Sequence, residues 1–247
     1  MKLIVNADDL GYSPGINRGI IYGFREGIIT STTLMINQKY SGEGIKLAKT
    51  HPGLGTGIHI NLTKEKPVSG ADRVPSLLDR SENFWDVDNF YRKHIAEEEV
   101  QAEAAAQIQK AVDSGLNLTH IDAHHHLQFH PVVIKVLIQM AKKYKLPLRN
   151  VNEETRDRFR NEGIPTPDIF ISSFFSSRVT IEYLSSLLTD LNKKHPGATI
   201  ELMTHPGILD YFSSTTRSSY HEPRQKELET LCSGEIKELI NSLKIEL

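Results

Sequence analysis

Residues 2–27 read KLIVNADDLGYSPGINRGIIYGFREG, and the fold turns on how this stretch is parsed. Lys2–Ala7 is a short apolar run of the kind found in a strand buried within a parallel sheet. Ser13 then offers a helix N-cap, and Pro14 stands where the first helical residue belongs. Ile16, Ile20, Ile21 and Phe24 follow at helical spacing, and Gly27 suits the stop. The stretch is one β-α unit.

The same alternation continues outward. Ile28–Asn37 (IITSTTLMIN) reads as a second strand, and Gly42–Thr50 as a short helix ended by His51-Pro52-Gly53. Thr56–Leu62 is a third strand and Leu118–Ala123 a fourth, with Leu146–Val151, Ile169–Ser173 and Thr199–Thr204 after them. Helices are expected over Glu97–Ser114, Pro131–Tyr144 and Val179–Lys194, and one or two more within Glu222–Leu247. Residues 64–95 are irregular and carry Phe84, Trp85, Phe90 and Tyr91, which read as packing rather than as a sugar platform. The pattern predicts one α/β domain over 1–247 with about seven mostly parallel strands. A distorted (β/α) barrel and an open doubly wound sheet both fit. No Gly-x-Gly-x-x-Gly follows the first strand, which weakens a dinucleotide-binding reading.

Composition narrows the function. Lys plus Arg number 29 against 31 Asp plus Glu, a formal net charge of -2, so bulk charge does not point to nucleic acid or an anionic membrane. The single Cys232 excludes an intramolecular disulfide and a Cys-rich metal site. No apolar run approaches the roughly 20 residues of a membrane helix. The N-terminus places two acids at positions 8 and 9 after a short apolar run, unlike a secretory signal, so a cytoplasmic location is expected.

Polar residues gather at the ends of the expected strands. Asp8 and Asp9 end the first, Asn37 the second, and His59 and Asn61 lie near the end of the third. His120, Asp122, His124, His125 and His126 lie in and after the fourth, Arg149 ends the fifth, and His205 follows the last. In a parallel barrel these ends converge on one face, where active sites lie. Asp9, His59 and His124 offer one carboxylate and two imidazoles, a set suited to a divalent ion with open positions. Asp8-Asp9 alone also reads as a turn or capping pair before Gly11 and Ser13, and a lone strand histidine such as His59 is ordinarily a core residue. Three adjacent imidazoles at 124–126 are costly to bury without partners.

Asp8 is the natural base beside Asp9, Arg149 could hold it ionised, and His205 is placed to protonate a leaving group. If the segment after the fourth strand is extended, His124 and His126 share a side and His125 faces away. His126 then becomes a substrate or supporting residue, Asp122 an orienter of an imidazole, and His130 a helix-start residue before Pro131. Ser213–Ser219 reads as a mobile loop able to act as a lid. The ligand set alone fits a phosphoesterase or a sugar isomerase as well as an amidohydrolase. A non-catalytic sugar-binding module would not need the Asp8-Asp9 pair.

The segments NADDLGYSPGINRGI (6–20), GIHINLT (57–63), THIDAHHH (119–126) and MTHPG (203–207), with Arg224-x-x-Glu227-Leu228 near the end, resemble the YdjC-like carbohydrate deacetylases, which include the chitooligosaccharide deacetylases. The resemblance implies a distorted (β/α) barrel and hydrolysis of N-acetyl groups on amino sugars of an acetylated oligosaccharide. It implies Asp9, His59 and His124 as metal ligands, Asp8 as general base acting on a metal-bound water and His205 as general acid. It also implies a homodimer, and Mg²⁺ as the metal. Ligand chemistry leaves Zn²⁺ or another transition ion open, because imidazole suits softer ions and Mg²⁺ prefers oxygen.

Overall fold

Six parallel strands form one sheet among the described residues: β1 (Lys2–Leu10), β2 (Ser31–Leu34), β3 (Gly55–Ile60), β4 (Ile121–Ala123), β5 (Ile169–Ile171) and β6 (Thr199–Thr204). Their order is β4-β3-β2-β1-β6-β5. The computed structural model describes residues 1–209, 220 and 222–247, so Ser213–Ser219 lies outside the described residues. The sheet curls into a half-barrel, approximating the expected distorted barrel. Helices surround it: α1 (Pro14–Glu26), α2 (Ser41–Thr50), α3 (Val87–Arg92), α4 (Glu97–Asp113), α5 (Pro131–Tyr144), α6 (Glu153–Asn161), α7 (Ile181–Lys194), α8 (Glu222–Leu231) and α9 (Gly234–Ser242). No helix among the described residues is long and apolar enough to cross a membrane.

The opening unit folds as its residues dictate. The Ser13 side chain accepts the Ile16 N–H, Pro14 takes the first helical position, and Gly27 closes α1. β1 is central because it pairs with both β2 and β6, from Lys2↔Thr199 to Ala7↔Thr204 on the β6 side. Val5, Ala7, Ile20, Ile58 and Ile200 are fully buried in one continuous apolar core. Each fully buried Val or Ile contributes about 1.5–3 kcal/mol. That burial supplies a rigid frame for the polar groups at the strand ends.

One expected strand is corrected. Leu146–Val151 makes a single bridge, Ile121↔Leu148, so the described residues hold six strands rather than about seven. The Ile121 N–H donates to Pro147 O and the Arg149 N–H to Ile121 O, while the Leu148 N–H turns the other way to Pro165 O. Pro147 has no N–H and Pro165 and Pro167 interrupt the facing segment, so no ladder propagates. The segment nevertheless lies beside β4 and carries the buried Arg149 to Asp8, Asp122 and Glu201. The sequence reading also leaves α6 unassigned. It rests on a capping box between Asn152 and Thr155, and its buried residues are Thr155 and Phe159 alone, too few to show an apolar stripe.

Candidate metal and catalytic site

Two backbone departures build the site. A regular strand sends neighbouring side chains to opposite faces. The β1 register slips between Ala7 and Leu10, and Asp9 takes φ 74°, so Asp8 and Asp9 both enter the barrel mouth. After β4 the chain does not stay extended: His125 (φ 56°, ψ 24°) and His126 (φ 52°, ψ 39°) are both left-handed. The expected alternation of the three histidines therefore fails. The rings of His124 and His125 lie side by side, with centroids 3.9 Å apart, and His125 Nδ1 pairs with Thr63 Oγ1 at 2.9 Å. Left-handed non-glycine residues cost about 1–3 kcal/mol each, a strain that accumulates at functional sites.

Asp9, His59 and His124 come together as one group able to hold a divalent metal. His59 Nε2 is 3.6 Å from Asp9 Oδ1, His124 Nδ1 is 3.3 Å from the same oxygen, and the two nitrogens are 3.2 Å apart. Four donors about 2.1 Å from one ion stand about 3.4 Å apart in a tetrahedron, so the triangle has the right size. Asp9 Oδ1 is buried and accepts no hydrogen bond among the described residues. Asp9 Oδ2 accepts from Arg224 Nη2 at 2.5 Å. His59 Nδ1 lies 2.5 Å from Asp122 Oδ1, so Asp122 orients an imidazole, as expected, and the imidazole is that of His59. Asp8, His59 and Asp122 form a second group of potential donors, but Arg149 occupies it with contacts of 2.8 Å from Nη1 to Asp8 Oδ2 and to Asp122 Oδ2.

Arg149 is fully buried under this site. It also donates from Nη2 to Asp8 Oδ1 at 2.7 Å and from Nε to Glu201 Oε1 at 2.6 Å. Burial pushes the Asp8 carboxyl up, but the Arg149 charge and hydrogen bonds outweigh it and hold Asp8 well below the usual carboxylate range. Burial also opposes charge on His59, yet Asp122, Asp8 and Asp9 prevail and raise it to about 9. Glu201 is pushed up to about 7 by burial, against the pull of Arg149, with Asp122 and Asp8 adding repulsion. Four carboxylates, Asp8, Asp9, Asp122 and Glu201, thus face two guanidinia, Arg149 and Arg224. His59, raised to about 9, adds a third positive charge to this cluster, and a divalent ion beside Asp9 would displace its proton.

His205 follows β6 with Nε2 4.0 Å from Asp8 Oδ2. Its loop is held close to α1: a Cβ on Gly19 would come within 2.6 Å of Gly207 Cα, so only glycine permits this approach. The His205 N–H donates to Glu227 Oε2 at 2.5 Å, and Glu227 Oε1 accepts from the Tyr220 hydroxyl at 2.6 Å. Burial lowers His205 to about 4, against the opposing pull of Asp8 and Asp9. Arg224 and Glu227 sit three residues apart on the buried face of α8. The sequence reading noted their motif without giving either residue a task. A charged pair at i,i+3 among Leu228 and Leu231 is the signal that marks them.

Asp8, His59, His124, His125, His126 and His205 line one cavity of about 330 Å³. Arg149 does not line it but reaches Asp8 from the side of a second cavity. His120, Asn37 and Asn61 are not brought to the donors. His120 precedes β4 and lines a cavity of about 490 Å³ at the opposite end of the strands, where Gly55, Ser31 and Thr199 leave the barrel unfilled. Asn61 donates to Asn37 Oδ1 and to Lys64 O, and Asn37 donates to Lys64 O and Lys66 O, so the pair pins the 61–66 loop. His130 caps α5 through the Val132 N–H, as its place before Pro131 implies. Phe84 and Phe90 are buried, and Trp85 packs against the core.

Residues 2–242 match the family model described as YdjC-like protein. A carbohydrate deacetylase of Brevibacillus brevis is 39% identical over 251 residues, covering 100% of this chain and 97% of that one. A carbohydrate deacetylase of Clostridium beijerinckii is 39% identical over 248 residues, covering 100% and 98%. A crystal structure from Enterococcus faecalis V583, of a protein described as a candidate for cellobiose-phosphate cleavage, superposes with a TM-score of 0.92 at 35% identity, covering 100% of this chain and 96% of that one.

Proposed function

The chain belongs to the YdjC-like protein family, and we propose that it is a metal-dependent carbohydrate deacetylase that removes N-acetyl groups from amino sugars of the chitooligosaccharide type. The observation that carries this reading is the convergence of Asp9 Oδ1, His59 Nε2 and His124 Nδ1 on one another, with His59 and His124 lining the cavity that Asp8 and His205 also line. The names of relatives that match over the full chain support the substrate class.

When bound to these three donors, a divalent ion supplies Lewis acidity at the acetamide carbonyl and lowers the pKa of water. Asp8 stays ionised because Arg149 grips both of its oxygens. Its Oδ2 takes the proton of the attacking water. His205 Nε2, 4.0 Å from that oxygen, hands a proton to the departing amine. With a pKa near 4, His205 is neutral in the resting protein, so the proton it delivers is acquired during the cycle from the side of Asp8. Arg224 neutralises Asp9 Oδ2 and leaves Oδ1 free to face the cation. Glu227 fixes the His205 backbone.

The test is product release from N,N'-diacetylchitobiose by metal-stripped protein, with Mg²⁺, Zn²⁺ or Co²⁺ added back. Free acetate that depends on one of these ions supports the reading. Mg²⁺, implied by the family, and Zn²⁺, favoured by two imidazoles, are separated by the same series. Release of inorganic phosphate from a sugar phosphate without acetate from any acetylated sugar overturns it in favour of a phosphoesterase.

A further inference from the structure

Among the described large apolar residues that are exposed, Phe175 alone also lines the cavity of the candidate site. Single exposed aromatics are ordinary on protein surfaces. This one is held in place. Its ring stacks on Tyr220 with centroids 4.1 Å apart and planes 4° from parallel, and meets the His205 ring edge at 5.5 Å. Tyr220 is itself tethered: its hydroxyl donates to Glu227 Oε1 at 2.6 Å and accepts the Ser176 N–H at 2.9 Å, while its carbonyl accepts from Arg224 Nε at 3.0 Å. Ser176, directly after Phe175, is left-handed with φ 56°, which fixes the bend that presents the ring.

A 41% exposed aromatic ring, held by Tyr220 and lining the same pocket as Asp8 and His205, fits one kind of ligand surface. That surface is apolar, flat and edged with hydroxyls. The axial C–H bonds on one face of a pyranose are such a surface, and their partial positive charge complements the negative face of an aromatic ring. The polar Ser172 and His126 line the same pocket. The geometry points to Phe175 as the sugar-ring subsite of this pocket, stacking the pyranose whose acetamide enters toward Asp8 and His205. This rests on the deacetylase reading and names a residue that selects its substrate. Phe84, Trp85 and Phe90 cannot serve, because they pack into or against the core.

The experiment compares wild type, Phe175→Leu and Phe175→Tyr on N,N'-diacetylchitobiose, with each variant's thermal unfolding as a folding control. Phe175→Leu is expected to raise KM about tenfold with a much smaller change in kcat, and Phe175→Tyr to restore KM. An unchanged KM in a folded Phe175→Leu overturns the subsite, as does a pure loss of kcat that tyrosine does not restore. Saturation-transfer NMR from the aromatic protons to the sugar ring protons is run on the same three proteins. It reads the subsite even if wild type releases no acetate, which keeps a failure of the deacetylase reading distinct. Transfer in wild type that is lost in Phe175→Leu supports the subsite, and no transfer in wild type, or equal transfer in both, overturns it.

Discussion

Asp122 Oδ1 lies 2.5 Å from His59 Nδ1, and this contact turns the other nitrogen of the ring, Nε2, toward Asp9 and His124. A carboxylate behind an imidazole sets its tautomer and its orientation and raises its basicity. Asp122 is fully buried and anchored in turn by Arg149, so the orientation is built into the core. Asp122→Asn is expected to weaken divalent-metal affinity about 10- to 100-fold. Calorimetric titration of the stripped protein measures it, and an unchanged Kd contradicts the role.

Asp8 faces the same cavity but stands outside the donor triangle. Asp8→Asn keeps the shape and removes the base. Metal affinity should stay near that of wild type while kcat for acetate release falls by about 10²–10⁴. Near-normal turnover in this variant contradicts the proton role.

Arg149 is the cation on which three buried carboxylates depend. Removing one partner of a buried pair leaves uncompensated charge and costs about 3–5 kcal/mol. For a chain of this length Arg149→Met should lower Tm on the order of 10 °C. Calorimetric unfolding checks this, and a Tm within a degree or two of wild type contradicts the arrangement.

The opening β-α unit was legible because its signals are local: an apolar run, then Ser13 and Pro14 at a helix start. The gathering of polar side chains was legible because a parallel sheet brings its strand ends to one side, and Asp8, Asp9, His59, His124 and His205 do meet there. Conformation without a residue signature was not legible. Nothing in Asp9 announces φ 74°, and nothing in His125 or His126 announces a left-handed turn. Arg149 was assigned to a strand, yet prolines at 147, 165 and 167 reduce that strand to one bridge. Arg224 pairs with Asp9 across 215 residues of sequence, a distance over which no local pattern speaks.

Glu201 supplies a pH-dependent test. Its native pKa, about 7, lies above the roughly 4.3 of an unfolded glutamate. Between those values the native state holds a proton that the unfolded state has lost. Its contribution to stability is therefore present at low pH and fades as pH rises through that window. Glu201→Gln removes the titration. The variant should gain on wild type by on the order of 1–3 kcal/mol between pH 5 and pH 8, whatever its offset at pH 5. Urea unfolding at the two pH values measures the change, and a pH-independent difference contradicts it.

The most direct test of the whole account is metal content and acetate release measured on the same preparations of wild type, His59→Gln and His124→Gln. The account predicts about one divalent ion per chain in wild type, the number a single three-donor site can hold. It predicts that both variants lose the ion and the acetate release together, while remaining folded. Full acetate release from preparations that hold no divalent metal would contradict it.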